Sequence, residues 1–274
     1  MIPDESDMLG VMTSPLPDYH VHTHYSDGEG EVADCVERAI ELGLPEIGFA
    51  DHIVPASLGD LAYYSIRGDQ IASYVADVRA AAARYPQIRV LLGAEADFVP
   101  GTELELAAIL DEHAFDYVLG SVHYVDGFGF ADDPDDERWA DKDAVYRGYY
   151  RAVAKAAAFG RFDVISHLDY VKVWGYRPDA DIADVENAAL GAISLSGAVL
   201  ELNTSGLREM AREMYPSPGL LQRAHRLGIP ITIGSDAHAP AEVGERFDQA
   251  AGVARQAGYE TIVRLSDRGT IALG

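Results

Sequence analysis

The chain has 274 residues, 48% of them hydrophobic and 24% charged, with 26 glycines spread along its length, a globular composition that excludes disordered, collagenous and coiled-coil proteins. Forty-five acidic against 21 basic residues leave a net charge of -24, a field that repels polyphosphate chains and anionic membrane surfaces, so neither nucleic acid nor a membrane is expected as a partner. Cys35 is the only cysteine, which removes disulfides and Cys-based metal cages, and with neither a signal-like start nor an apolar run of about 18 residues the expected location is the cytoplasm.

Residues 1–15 read as a flexible extension, and residues 16–274 as one domain without linker or repeat. Within it, short runs rich in Val, Ile, Leu and Tyr alternate with longer stretches of helical periodicity. Strands are expected at 19–22, 46–52, 89–98, 117–123, 164–169, 199–203 and 231–236, with helices at 31–43, 69–85, 102–113, 141–159, 181–196, 217–227 and 246–257. Strand followed by helix, repeated along the chain, is the pattern of a parallel α/β fold. No Gly-x-Gly-x-x-Gly turn follows the first strand, which favours a closed barrel over an open doubly wound sheet. The polar, acidic stretch 126–141 is the least regular connection and reads as a lid or substrate-lining loop.

The histidines carry the functional signal. Of the nine, His20, His22, His24, His52, His123, His167 and His238 fall at or just past the end of an expected strand, and only His113 and His225 fall in helices. A parallel barrel gathers its strand ends on one face, where its chemistry takes place. His20 and His22 are two residues apart and share a side of their strand; Asp236 and His238 repeat the offset. Glu95, in Gly93-Ala94-Glu95-Ala96-Asp97, adds a carboxylate able to bridge two cations, which an imidazole cannot do. A polar barrel mouth with hydrogen-bonded histidines is the bland alternative, and so many imidazoles at one face weigh against it.

The series HVHTHYSDG, ADH, GAEADF, GSVH, SHLD and GSDAH resembles, in order and over nearly the whole chain, the polymerase and histidinol phosphatase (PHP) superfamily. GAEADFVPG, GSVHYVDGFGFADDP, ELNTSGLRE and YPSPGLL are similar to its monofunctional histidinol-phosphatase branch. The resemblance implies a single-domain, distorted (β/α)7 barrel holding up to three divalent ions of zinc, iron or manganese. It implies His20, His22, Glu95 and Asp236 around one ion, Glu95 bridging to a second with His123 and His167, and Asp27, His52 and His238 around a third. His24 would contact phosphate or lie behind the ligands.

The implied reaction is metal-assisted hydrolysis of a small phosphomonoester, first of all L-histidinol phosphate, with Glu95, Asp236 and Arg208 as the catalytic residues. Clustered divalent cations are what a dianionic ester needs before an anionic nucleophile can approach it in line. Arg208, after the sixth strand, is expected to clamp a phosphate oxygen with its planar fork, and Lys172 is a second phosphate candidate. Asp51 and Asp169 neighbour ligand histidines and are candidates to orient them. Asp126, Asp132 and Asp133, or Asp97, are candidates to receive a cationic amine. Three alternatives stand beside this reading: a PHP phosphoesterase acting on another monoester or nucleotide, a non-catalytic PHP module, and an amidohydrolase-type enzyme. The last is disfavoured because His123, rather than a lysine available for carbamylation, follows the fourth strand.

Overall fold

A computed structural model describes residues 15–274, without the side chains of residues 60–62; residues 1–14, nearly all of the expected extension, lie outside the described residues. In chain order the first half runs β1 (Asp18–Val21), α1 (Val32–Glu41), β2 (Glu46–Phe49), β3 (His52–Ile53), α2 (Ile71–Arg84), β4 (Arg89–Asp97), α3 (Glu103–Glu112) and β5 (Tyr117–Ser121). A hairpin follows, β6 (Tyr124–Val125) and β7 (Phe128–Gly129), and then α4 (Lys142–Phe159), β8 (Val164–Ile165), α5 (Ala183–Ser196) and β9 (Val199–Asn203). The chain ends with α6 (Pro218–Arg226), β10 (Ile231–Gly234), α7 (Phe247–Ala257), β11 (Thr261–Val263) and β12 (Thr270–Ala272).

Seven strands pair in parallel in the order β1-β2-β4-β5-β8-β9-β10. A parallel bridge between Val21 and Ala237, with His22 N donating to Ala237 O at 2.8 Å and Ala237 N to His20 O at 3.1 Å, joins the last strand to the first. The result is the expected nearly closed (β/α)7 barrel. Its strands are buried along almost their whole length, as a sheet covered by helices requires. The helices turn one stripe inward: α1 buries Val32, Cys35, Val36 and Ala39, spaced three and four apart. Burial pushes the Cys35 thiol up to about 12 and leaves it inert. Inside the barrel, Tyr19, Leu91, Tyr117, Leu119, Val164 and Val199 fill the lumen beneath the strand ends. A Cβ at Gly48 or Gly93 would overlap the Tyr117 ring, so both glycines make room for it.

Three departures from expectation bear on the site. The second expected strand is broken: β2 ends at Phe49, Asp51 turns its carboxylate to the loop after β1, and the chain resumes as β3, paired with β4 through His52 opposite Glu95. The fifth expected strand shrinks to β8, because Asp169 takes a left-handed conformation (φ 70°) and opens a 3-10 turn over Tyr170–Lys172. Within the stretch read as an irregular loop, Asp126 (φ 51°) and Gly127 (φ 72°) form a two-residue hairpin turn between β6 and β7, an Asp-Gly signal legible in the sequence. The β11–β12 hairpin was not expected. Among the described residues no helix is long and apolar enough to cross a membrane.

Candidate metal centre

The strand ends bring Glu95, Asp236 and five imidazoles together, all nearly out of solvent contact. Glu95 lies at the middle and its two oxygens face different partners. Oε2 is 3.2 Å from His20 Nε2, 3.5 Å from His22 Nε2 and 2.9 Å from His52 Nδ1. Oε1 is 2.7 Å from His167 Nε2 and 3.7 Å from His123 Nε2. Across from it, Asp236 Oδ1 is 3.5 Å from His20 Nε2 and 3.2 Å from His22 Nε2. Asp236 and His238 do not share a strand face as their spacing suggested, because Asp236 is left-handed (φ 54°). The turn still brings the His238 ring to 4.3 Å from that of His22. Asp27, in the loop after β1, completes an outer corner, 3.4 Å from His238 Nε2 and 3.7 Å from His52 Nε2. The donors thus form overlapping groups, and His22 and His52 each take part in two.

Buried polar atoms in proteins are nearly always partnered. Here His20 Nε2, both nitrogens of His22, His52 Nδ1, His167 Nδ1 and Glu95 Oε2 are buried without a hydrogen-bond partner. Such a set of imidazole nitrogens and carboxylate oxygens fits borderline divalent cations. The charges of the cluster are strongly coupled: burial would lower the imidazoles, but the carboxylates beside them raise His20, His52, His123 and His167. Burial would raise the Glu95 carboxyl, but His52, His20 and His167 hold it well below the usual range. Burial, with His238 and His52 alongside, pushes His22 down to about 3, keeping it neutral and able to donate a lone pair.

A ring of further side chains aims these donors. His20 Nδ1 is 2.7 Å from Glu201 Oε1, which turns Nε2 toward Glu95. Glu201 Oε2 accepts from His167 N at 2.8 Å and Asn203 Nδ2 at 3.0 Å. Asn203 and Ser205 in turn hold Asp236 Oδ2, at 3.2 and 3.0 Å, leaving Oδ1 for the cluster. So β9 contributes no side chain to the cluster yet positions donors on the strands at both its edges. A Cβ at Gly234 would overlap Glu201, so the glycine of Gly234-Ser235-Asp236 keeps the carboxylate against His20. Asp97 Oδ1, 2.7 Å from His123 Nδ1, does the same for His123. Such partners fix the tautomer and raise ligand basicity.

The PHP domain model matches residues 18–205, and a PHP-associated model matches residues 221–247. The chain belongs to the PHP family. Among PHP relatives, a probable histidinol-phosphatase of Deinococcus radiodurans is 37% identical over 254 residues, covering 90% of this chain and 95% of the relative. The histidinol-phosphatase of Bacillus subtilis is 26% identical, covering 84% of this chain and 96% of its own. A crystal structure of histidinol phosphate phosphatase from Lactococcus lactis, in complex with zinc, L-histidinol and phosphate, superposes with a TM-score of 0.78 at 25% identity. That match covers 94% of this chain and 97% of the Lactococcus chain.

Several residues singled out in the sequence lie elsewhere than expected of a PHP centre. Lys172 is buried, and its Nζ donates to Asp169 Oδ2 at 3.1 Å, Glu213 Oε2 at 2.8 Å and Met214 O at 2.8 Å, which uses all three of its protons and leaves none for phosphate. Arg208 donates to the carbonyls of Ser235 (3.1 Å) and Asp236 (2.7 Å) and to Glu245 Oε2 (3.2 Å); instead of presenting an open fork it braces the left-handed turn at Asp236. His24 is exposed beside Glu31, 3.3 Å away. Asp51 accepts from Thr23 N (2.8 Å) and Ser26 Oγ (2.6 Å), so it pins the loop that carries Asp27 rather than a histidine. Asp169 accepts from Lys172 and from Ser217 N at 2.9 Å, not from His167. Glu201 is not among the residues expected from the sequence, although it lies in the ELN segment that carries part of the family resemblance. The signal available for it is an acidic residue between two leucines of a fully buried strand.

Proposed function

We propose that the chain hydrolyses L-histidinol phosphate to L-histidinol and phosphate, a step of histidine biosynthesis that we assign to the cytoplasm, with residues 16–274 as the catalytic unit. The observation that carries the reading is the set of buried imidazole nitrogens and Glu95 oxygen without partners in the chain. Divalent cations, when bound, would supply the positive charge for in-line displacement at phosphorus and acidify water into a nucleophile near neutral pH. His20, His22, Glu95 and Asp236 would hold one, Glu95, His123 and His167 a second, and Asp27, His52 and His238 a third. Glu95 suits the bridging role because its oxygens face separate groups of imidazoles. Glu201 and Asp97 favour the tautomers of His20 and His123 with the proton on Nδ1, so that each Nε2 can offer its lone pair to a cation. Arg208 acts through the main chain, steadying the turn that aims Asp236. Lys172 and Arg208 are engaged elsewhere, so holding the phosphate would fall chiefly to the cations.

The test is phosphate release from a panel of small monoesters before chelation, after verified metal removal, and after restoring manganese, zinc or iron. Activity only with metal, and highest kcat/KM for L-histidinol phosphate, is expected. Activity surviving metal removal would sink the mechanism. Metal-dependent activity that prefers another ester would move the chain to a different PHP substrate.

A further inference from the structure

Beside the imidazole cluster is a cleft of about 330 Å³, at the small end of the range for ligand sites. Its inner wall is Asp27, His52 and His123; its outer wall is Tyr63, Tyr64, Tyr124, Tyr170 and Asp132. None of the described residues lining it is a lysine or arginine.

The outer wall comes from three places in the chain. Tyr63 and Tyr64 follow the turn after β3, Tyr124 and Asp132 belong to the β6–β7 hairpin and its exit, and Tyr170 opens the short turn after His167. The ring planes are held. Tyr64 stacks on Tyr124 (6.2 Å, 14°) and donates to Asp97 Oδ2 at 2.8 Å, while Tyr170 meets His123 edge-on at 4.9 Å. Asp97, with His123 on one oxygen and Tyr64 on the other, is fully buried behind them and does not line the cleft. Asp126 and Asp133 do not line this cleft: Asp126 lies on a separate one behind the hairpin, and Asp133 accepts from Asp135 N at 2.8 Å. Asp27 is engaged with His238 and His52. Asp132 is the carboxylate left over: the Tyr124 hydroxyl lies beside it, and among the described residues it makes no ion pair with lysine, arginine or histidine. A Cβ at Gly129 would overlap its carboxylate, so the hairpin glycine sets its position at the rim.

We propose that Asp132 is the specificity-determining residue of this enzyme. It receives the primary ammonium of the substrate while the tyrosine wall holds the planar ring beyond it. A carboxylate without an ion-pair partner among the described residues, set beside aromatic faces, selects for a ligand carrying positive charge and a flat ring. The inference rests on the histidinol phosphate reading and deepens it.

The experiment compares L-histidinol phosphate with its des-amino analogue, 3-(imidazol-4-yl)propyl phosphate, on fully metal-loaded wild type, Asp132→Asn, Gly129→Ala and Asp126→Asn. Metal content is measured in each, and L-histidinol binding by calorimetry. Asp132→Asn is expected to lose about tenfold in kcat/KM on the amine-bearing ester, the scale of one lost charged contact, and less than about twofold on the analogue. Its affinity for L-histidinol falls in parallel, with metal content unchanged. Gly129→Ala, which displaces the carboxylate without removing its charge, shifts the same ratio, and Asp126→Asn leaves it alone. Equal losses on both esters, or an undiminished preference in Asp132→Asn, would overturn the assignment. A wild type that does not prefer the amine-bearing ester refutes the histidinol phosphate reading itself, and that result is read before any variant is made.

Discussion

The two ends of the barrel bury polar groups in opposite ways. At the base, Tyr19 Oη donates to Glu46 Oε2 at 2.6 Å and accepts from Leu265 N at 3.1 Å, and Ser266 Oγ donates to the other oxygen of Glu46. Tyr117 Oη donates to Tyr19 O at 2.7 Å. Each of these polar side chains finds its partner within the chain, and the loop of the β11–β12 hairpin supplies part of the closure. At the mouth, six buried atoms of His20, His22, His52, His167 and Glu95 find none. An unsatisfied buried polar atom costs about 1–3 kcal/mol, so the mouth carries a burden that the base does not. The difference teaches where the fold is self-sufficient and where it is built around something that the chain does not itself contain.

The sharpest way to break the comparison is at its centre. Glu95→Gln removes the charge proposed to bridge the cations and should lower kcat on the order of 10³-fold, with metal stoichiometry reduced. Glu103→Gln, at a half-buried position on the first turn of α3, should stay within about twofold. A folded Glu95→Gln protein with wild-type activity and metal content would remove Glu95 from the bridging role.

Next in size is Lys172, which lies near the mouth but is satisfied in the manner of the base. Lys172→Met leaves Asp169 buried without its cation and should cost about 3 kcal/mol in urea unfolding at pH 8. Burial already pushes the Asp169 carboxyl up to about 6, against the pull of Lys172. Protonation relieves a buried carboxylate, so the folded protein takes up its proton at higher pH than the unfolded chain. Removing Lys172 raises the folded value further, and the loss of stability should shrink as pH falls to 5. A loss equal at both pH values would show that the Lys172 charge does not act on Asp169.

The smallest effects separate the two ends most directly. Glu201→Gln, behind the mouth, should weaken metal affinity 10- to 100-fold in a chelator competition. Tyr19→Phe, at the base, should cost about 1 kcal/mol of stability and leave metal affinity as it was. If Tyr19→Phe altered metal binding, or Glu201→Gln did not, the division of labour between the ends would fail.

Some of this was legible in the residues alone. The alternation of short apolar runs with helical periods set the seven-stranded barrel, because side-chain periods of 2 and 3.6 are local properties of the chain. Imidazoles at successive strand ends, and Glu95 among small residues, marked the mouth as a cation site, because parallel strands bring their ends to one face whatever their exact registers. The Asp-Gly turn of the β6–β7 hairpin is an equally local signal, within a stretch whose polar composition alone reads as loop.

What only the tertiary structure decided was partnership. Lys172 and Arg208 carry the charge a phosphate needs, but Glu213, Met214, Ser235, Asp236 and Glu245 reach them first. Glu201 lies 181 residues from His20 in the chain, and 2.7 Å separates its Oε1 from His20 Nδ1. Neither outcome has a period or a spacing to reveal it. A side chain's hydrogen-bond partner depends on which strands become neighbours when the barrel closes, and that is settled by packing across the whole chain rather than by any one stretch of it.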